Sequence, residues 1–356
     1  FMLRTGSIAV RGGLSESDAL KALTITPAKL LHLDHRVGSL EPGKDADFAV
    51  LSGAPFSVYT KVLETWIEGN RVFDAKSEID RSYRDGGFAL PRGTEVPKLV
   101  GTSAPRNRSE VPPRPEPKPV EPAKGSLLVR AGRIHTASGE PIENGAIYAK
   151  DGKVTFVGSW ADYLKWDTAR GAAETVLTAA EVTPGLIDTH CSVGVSGAWN
   201  VSSDQDQDEP SEPNCADLRV LDGFNPQEPF LEFLRANGIS VVAVSPGRVN
   251  VVAGTTGVFR THGLTAEACA LKPTFAVLVT LGEVPKSSFK EKGPGTRMAV
   301  AGLVRKAFAE AEAYRKKRTD EPEKSPRNAK HEALLPALDG KATVVFAAHR
   351  ADDVQT

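Results

Sequence analysis

From Val182 to the last residue, apolar runs alternate with helical stretches, and this rhythm constrains the fold more than any other feature of the chain. "ISVVAVS", "PTFAVLVTLG" and "ATVVFAA" read as buried strands. "EPFLEFLRANG" reads as an amphipathic helix ended by Gly238, and "RMAVAGLVRKAFAEAEAYRKKR" as a long helix. Alternation of this kind implies parallel strands joined by crossover helices. A closed (β/α)8 barrel takes ~250 residues. The stretch from 182 to 356 supplies only four or five strands, so a barrel cannot close within it. Its unpaired edges need cover from other sequence or from a partner.

Upstream, the patterning changes. Ser15 is a good N-cap with Asp18 at the third helical position, and Ala19, Leu20 and Leu23 give helical spacing that should end at Pro27. From Val37 to Asp74 short alternating runs follow, with "EGN" as a tight hairpin turn. Residues 88–125 hold nine prolines, which predicts an extended linker with polyproline-II character. After it the alternation resumes, and Asp151-Gly152 supplies the positive-φ pair of a two-residue hairpin. Four segments result: 1–87, a helix plus β-structure; 88–125, the linker; 126–181, a second β-rich segment; and 182–356, the half-barrel. The chain opens inside what reads as helical sequence, so a longer polypeptide is expected.

Composition excludes more than it names. Lys plus Arg total 44 against 45 Asp plus Glu, so no global field gathers nucleic acid or an anionic membrane. No apolar run approaches the ~18 residues of a membrane span. Neither nucleic acid nor membrane is therefore expected as partner, and the unclosed barrel calls for the remaining half of the protein or a homo-oligomer. A soluble chain of bacterial cytoplasmic or periplasmic type is expected, with the compartment left open. Cys191, Cys215 and Cys269 are too few and scattered for a disulfide framework or a CxxC zinc site, although one bridge stays open.

Chemistry concentrates in "VTPGLIDTHCSVG", residues 182–194. A strand places residues i and i+2 on one face, so a His-x-His pair at a strand end aims two imidazoles at one point. Here His190 is followed two residues later by Ser192, whose neutral hydroxyl is a poor ligand beside an imidazole nitrogen. Cys191 is the better donor, but at i+1 it should face the helices. "VVAGTTGVF" lacks the GK[ST] ending of a phosphate cradle and reads as a substrate-side loop. "SSDQDQDEPSEPNCAD" (202–217) lacks the glycine pivot of an EF-hand loop and reads as solvated.

"VTPGLIDTH" after a β-rich segment resembles the start of the barrel in the amidohydrolase superfamily, particularly its imidazolonepropionase-like branch. "ALKALTITPAKLLHLDHRVGSLEPGKDADFAVLSGAPF" (19–56) is similar to the end of such an enzyme, with "SLEPGKDAD" its most specific piece. "SPGRVNVVAGTTGVFRTHG", "GTRMAVAGLVRKAFAEAEAY" and "FAAHRADDV" extend the resemblance over nearly everything but the linker. The C-terminal signature comes first, which implies the junction of two tandem copies, with a circular permutation as the alternative. The resemblance implies an α/β plus β fold: an amidohydrolase-type β-sandwich with a partial TIM (β/α)8 barrel.

The resemblance also implies a small-molecule substrate and a divalent metal, zinc foremost, activating a water that hydrolyses its non-peptide or dipeptide-like C–N bond. His190 matches the first histidine of the family pattern and Ser192 departs at the second. His349 matches a histidine of "FAAHRADD", where Ala347 replaces the other. Lys286 in "GEVPK" stands near the midbarrel lysine position. His190, His349 and Lys286 are thus the candidate metal residues, and no catalytic residue is assigned. Ser192 and Ala347 imply the other outcome too: a degenerate, metal-free copy with a structural or regulatory role beside an active one.

Overall fold

The computed structural model describes residues 2–85, 125–166, 172–289 and 293–355. The proline-rich segment, except Gly125, lies outside them. Three short helices open the chain: α1 (Met2–Arg11), α2 (Glu16–Leu23) and α3 (Ile25–Leu30). Ser15 caps α2 by accepting the Asp18 N–H, as its sequence predicts. Helical structure does not stop before Pro27, because Thr24 starts a new helix and Pro27 falls in its first turn, where no N–H is needed.

Two sheets follow. The first has seven strands in the order β3-β2-β1-β7-β4-β5-β6, built from β1 (Phe48–Leu51), β2 (Val62–Ile67), β3 (Asn70–Asp74), β4 (Ser126–Ile134), β5 (Ile142–Lys150), β6 (Lys153–Ser159) and β7 (Thr175–Pro184). Strands from either side of the proline-rich stretch share it, because β1 pairs antiparallel with β7, Phe48 opposite Pro184. Its two expected layers are parts of one folded sheet: Gly43 N–H donates to Val154 O at 2.7 Å and Val154 N–H to Lys44 O at 2.9 Å, joining the stretch before β1 to β6. Phe48, Trp66, Val129, Ile134, Ile147 and Val182 fill the fold, with Phe48 and Trp66 stacked at 5.6 Å. Both hairpin turns use the positive φ that their sequences provide, at Glu68-Gly69 and at Asp151-Gly152.

The second sheet has five strands in the order β12-β11-β10-β9-β8: β8 (Leu186–Cys191), β9 (Ile239–Val244), β10 (Val252–Arg260), β11 (Ala270–Thr280) and β12 (Thr343–Ala347). β8 and β9 are parallel, as are β11 and β12, but β10 runs antiparallel to both its neighbours. The all-parallel expectation is therefore corrected, and so is the loop assigned to "VVAGTTGVF", which is a strand buried along its whole length. Glycines disguised it. Gly254 takes φ +115° so that the backbone can approach Leu218 O, and its neighbours carry β-bulges.

Helix α7 (Pro229–Ala236) packs on β9, and the hairpin of α10 (Arg297–Asp320) with α11 (Ala329–Leu338) covers β11. Phe224 and Phe259 stack at 4.2 Å in the core beneath β9 and β10. Among the described residues no helix is long and apolar enough to cross a membrane, and all three cysteines are free.

Where the sheets meet, a charged seam forms. Asp45 is fully buried and accepts from Arg36 at 2.9 Å, Arg260 at 2.6 Å and Lys153. Arg260 also reaches Glu68 at 2.7 Å. Asp47 Oδ1 accepts the Glu68 N–H at 2.7 Å, while its Oδ2 is buried without a hydrogen-bond partner among the described residues. Burial raises its carboxyl to about 6, against the opposing pull of Arg260 and with the repulsion of Asp45 and Glu68 added. "SLEPGKDAD" is thus the turn whose acids fasten one sheet to the other.

Candidate functional site

Four strands of the second sheet, β8, β9, β11 and β12, share one direction, so their carboxyl ends gather at a single edge, joined by the amino end of β10. In sheets of this kind that edge is where binding groups collect. His190 is the penultimate residue of β8, with its ring partly exposed. Its backbone N–H donates to Asp188 Oδ1 at 3.0 Å. Its ring Nδ1 lies 3.2 Å from Ser245 Oγ, which lies 2.9 Å from Thr256 Oγ1.

The burial of those hydroxyls sets the direction of the relay. Ser245 is 1% exposed and Thr256 2%. If His190 donated from Nδ1, Ser245 would donate to Thr256, and the Thr256 O–H would be left without an acceptor among the described residues. A buried orphan donor costs roughly 1–3 kcal/mol. With Thr256 donating to Ser245 and Ser245 to Nδ1, every hydroxyl is satisfied and the neutral ring carries its proton on Nε2. Burial lowers the His190 pKa, and the positive charge of Arg248 lowers it further, while Asp188 opposes both.

The other sequence candidates stand apart. Ser192 lies in the turn after β8, its carbonyl accepting from Val195 and Ser196. Cys191 is still paired to Val244 at the strand end, and burial pushes its thiol up to about 12, so it stays protonated. Lys286, in α9 (Glu283–Ser288), is held by Glu283 at 3.0 Å, and Glu283 also receives Arg297. His349 is exposed in the turn between β12 and α12 (Ala351–Gln355). β8 and β12 are opposite edges of the sheet, so the structure does not bring His190 and His349 together. Among the described residues no three His, Cys, Asp or Glu side chains gather in a group able to hold a metal ion.

The residues that do surround His190 went unnoticed in the sequence. Ser245 ends a run read only as a buried strand, Thr256 falls in a stretch read as a loop, and Arg248 in one noticed only through the family resemblance; a lone hydroxyl or arginine carries no spacing signal. The acidic stretch 202–217 is also more than solvated loop. Asp208 Oδ1 accepts the Val249 N–H at 3.0 Å, and Asn250 Nδ2 donates to Glu212 O at 2.8 Å, so this stretch pins the end of the 245–250 loop.

Comparison with known proteins points one way. Residues 1–73 match the model of the Amidohydrolase family. A plant protein, LONG AFTER FAR-RED 3 of Arabidopsis thaliana, is 42% identical over 65 residues, 17% of this chain and 11% of that protein. The crystal structure of an amidohydrolase from Thermotoga maritima superposes with a TM-score of 0.59 at 26% identity, covering 64% of this chain and 60% of that one. A further match, to A. niger ochratoxinase, covers 22% of this chain and 18% of that one at 27% identity, with a TM-score of 0.19. This chain thus spans less than two thirds of the relatives it matches. Sequence over residues 1–73 and fold over 64% of the chain both support a relation to the amidohydrolase superfamily.

Proposed function

We propose that the whole molecule is a hydrolase of a C–N bond in a small substrate, and that the half-barrel described here is a degenerate copy whose mouth supports an active neighbour without holding a metal. The observation that carries this reading is the pairing of Ser192, in place of a second histidine, with a His190 whose Nδ1 is engaged by a buried hydroxyl relay. A divalent metal does not fit the donors around His190. Metal-bound histidines donate their second ring N–H to a fixed acceptor and offer the other nitrogen as a lone pair, whereas this relay leaves Nε2 protonated. No catalytic step is therefore routed through a metal here. The order of the segments, with the family match at 1–73 ahead of the "VTPGLIDTH" strand, supports a junction of two tandem copies.

Elemental analysis of the dialysed protein beside His190→Ala tests this. Less than about a tenth of an equivalent of divalent metal in both is expected. About one equivalent that vanishes in the variant would overturn the degenerate reading and restore the active one, with His190 as a ligand. Ser192→His combined with Ala347→His should raise occupancy only if those two substitutions alone disabled the site.

A further inference from the structure

We infer that a groove at the end of the five-stranded sheet away from the mouth takes a small organic anion, its acidic group on Lys272 and Lys341 and its apolar body against Phe275. The groove is independent of the reading of His190, because it is built on the amino ends of β11 and β12, whereas His190 stands at the carboxyl end of β8.

One cavity joins these residues. It measures about 410 Å³, within the range of small-molecule pockets, and His32, Lys272, Thr274, Phe275, Lys341 and Thr343 line it. They come from three places in the sequence: the residue after the cap of α3, the first half of β11, and the turn leading into β12. β11 forms its side of the groove by leaving register. Lys272 stands opposite Val258 and Ala276 opposite Thr256, so Pro273, Thr274 and Phe275 together span the place of one residue of β10, Gly257. The bulge folds close over that glycine, where a Cβ would lie 3.1 Å from Pro273 O. Bulges re-aim side chains out of the ladder. Ala276 then pairs with Thr343, which sets the bulge beside the start of β12.

The charge of this groove is unbalanced. Lys272 Nζ donates to Leu31 O at 2.7 Å and lies 5.7 Å from the centre of the Phe275 ring, and no carboxylate pairs with it among the described residues. An ammonium carries three donors, and Leu31 takes one. Burial lowers the Lys272 pKa, with no acid to oppose it. Lys341 reaches Asp339 at 3.4 Å, but Asp339 also takes Arg315 at 2.7 Å, so one acid serves two cations. His32 completes the wall: its ring lies 6.3 Å from that of Phe275, and its backbone takes φ +53°. Such a backbone is uncommon outside glycine and gathers at binding sites. An anion supplies the missing charge, while Phe275 and the aliphatic stem of Lys272 offer the rest of the same molecule an apolar surface.

The test uses the full chain and 4-fluorophenylphosphonate, followed by 19F line width at fixed ionic strength, with inorganic phosphate as the second probe. Saturable one-to-one binding is expected, about tenfold weaker in Lys272→Met and about threefold weaker in Lys341→Gln. Lys341 is exposed, so its variant reads the groove even where loss of the Leu31 contact disturbs α3. Lys306→Gln, at an exposed lysine of α10 outside the groove, should leave the affinity unchanged, and inorganic phosphate should bind about tenfold more weakly. No saturable binding, an affinity unchanged in both groove variants, or equal weakening in Lys306→Gln overturns the site. Inorganic phosphate binding as tightly as the aryl phosphonate overturns the assignment to an organic anion.

Discussion

Asp47→Asn should stabilise this protein at neutral pH and do nothing of the kind in acid. Asp47 is 4% exposed, with one oxygen on the Glu68 N–H and the other orphaned. Its carboxyl stands at about 6 in the fold against an ordinary 3.8. At 1.36 kcal/mol per pH unit the difference corresponds to about 3 kcal/mol. The sign follows from the direction. A folded pKa above the unfolded one contributes stability that is whole below about pH 4 and lost as pH rises through about 6. Asparagine keeps the acceptor for Glu68 and abolishes the buried charge, but leaves an amide donor in the same dry spot at a cost of roughly 1–2 kcal/mol. A net gain of about 1–2 kcal/mol is expected at pH 8, becoming a loss of similar size at pH 4. Urea unfolding of both proteins, followed by tryptophan fluorescence at pH 8, 6 and 4, reads this directly. A difference that stays flat from pH 4 to 8, or that favours the variant more in acid, would refute the reasoning.

The same unfolding curves check three further expectations. Arg260→Met removes the guanidinium from buried Asp45 and from Glu68, and should cost about 3 kcal/mol. Gly254→Ala forces a Cβ to 2.5 Å from Leu218 O at φ +115°, and should cost about 2 kcal/mol, with the midpoint falling and the slope unchanged. Combining Arg260→Met with Ser245→Ala should give an effect additive within about 0.5 kcal/mol, since the two positions face opposite ends of the sheet.

The elements that were legible in the sequence are those whose signal is local. The Ser15 cap, the Asp151-Gly152 and Glu68-Gly69 turns, the Gly238 stop and the helix Arg297–Asp320 are each fixed by a few adjacent residues. β10 was not legible, because a strand buried on both faces has no alternation, and its two glycines, needed for close backbone approach, imitate a loop. Its antiparallel direction was hidden for a related reason. Nothing in a strand's own residues records which way its neighbours run. At the mouth, His190 was found because a histidine after "GLID" stands out, whereas Ser245 and Thr256 matter only through where the fold places them, 55 and 11 residues from their partners.

β10 also shows why the site and the fold can change separately. Thr256 lies at its middle and serves the His190 relay, while Arg260 ends the strand and binds Asp45 in the seam. Four residues of extended chain separate them by ~13 Å. The charges that fasten the two sheets therefore sit at the end of the sheet away from the mouth, and neither Ser192 nor Ala347 touches that seam. Replacing a metal ligand by serine or alanine at the mouth removes chemistry without removing any contact that holds Asp45, Arg260 and Glu68 together. On the degenerate reading proposed above, selection on the fold alone would keep "SLEPGKDAD" without a histidine pair, and this chain carries "SLEPGKDAD" with Ser192 two residues after His190.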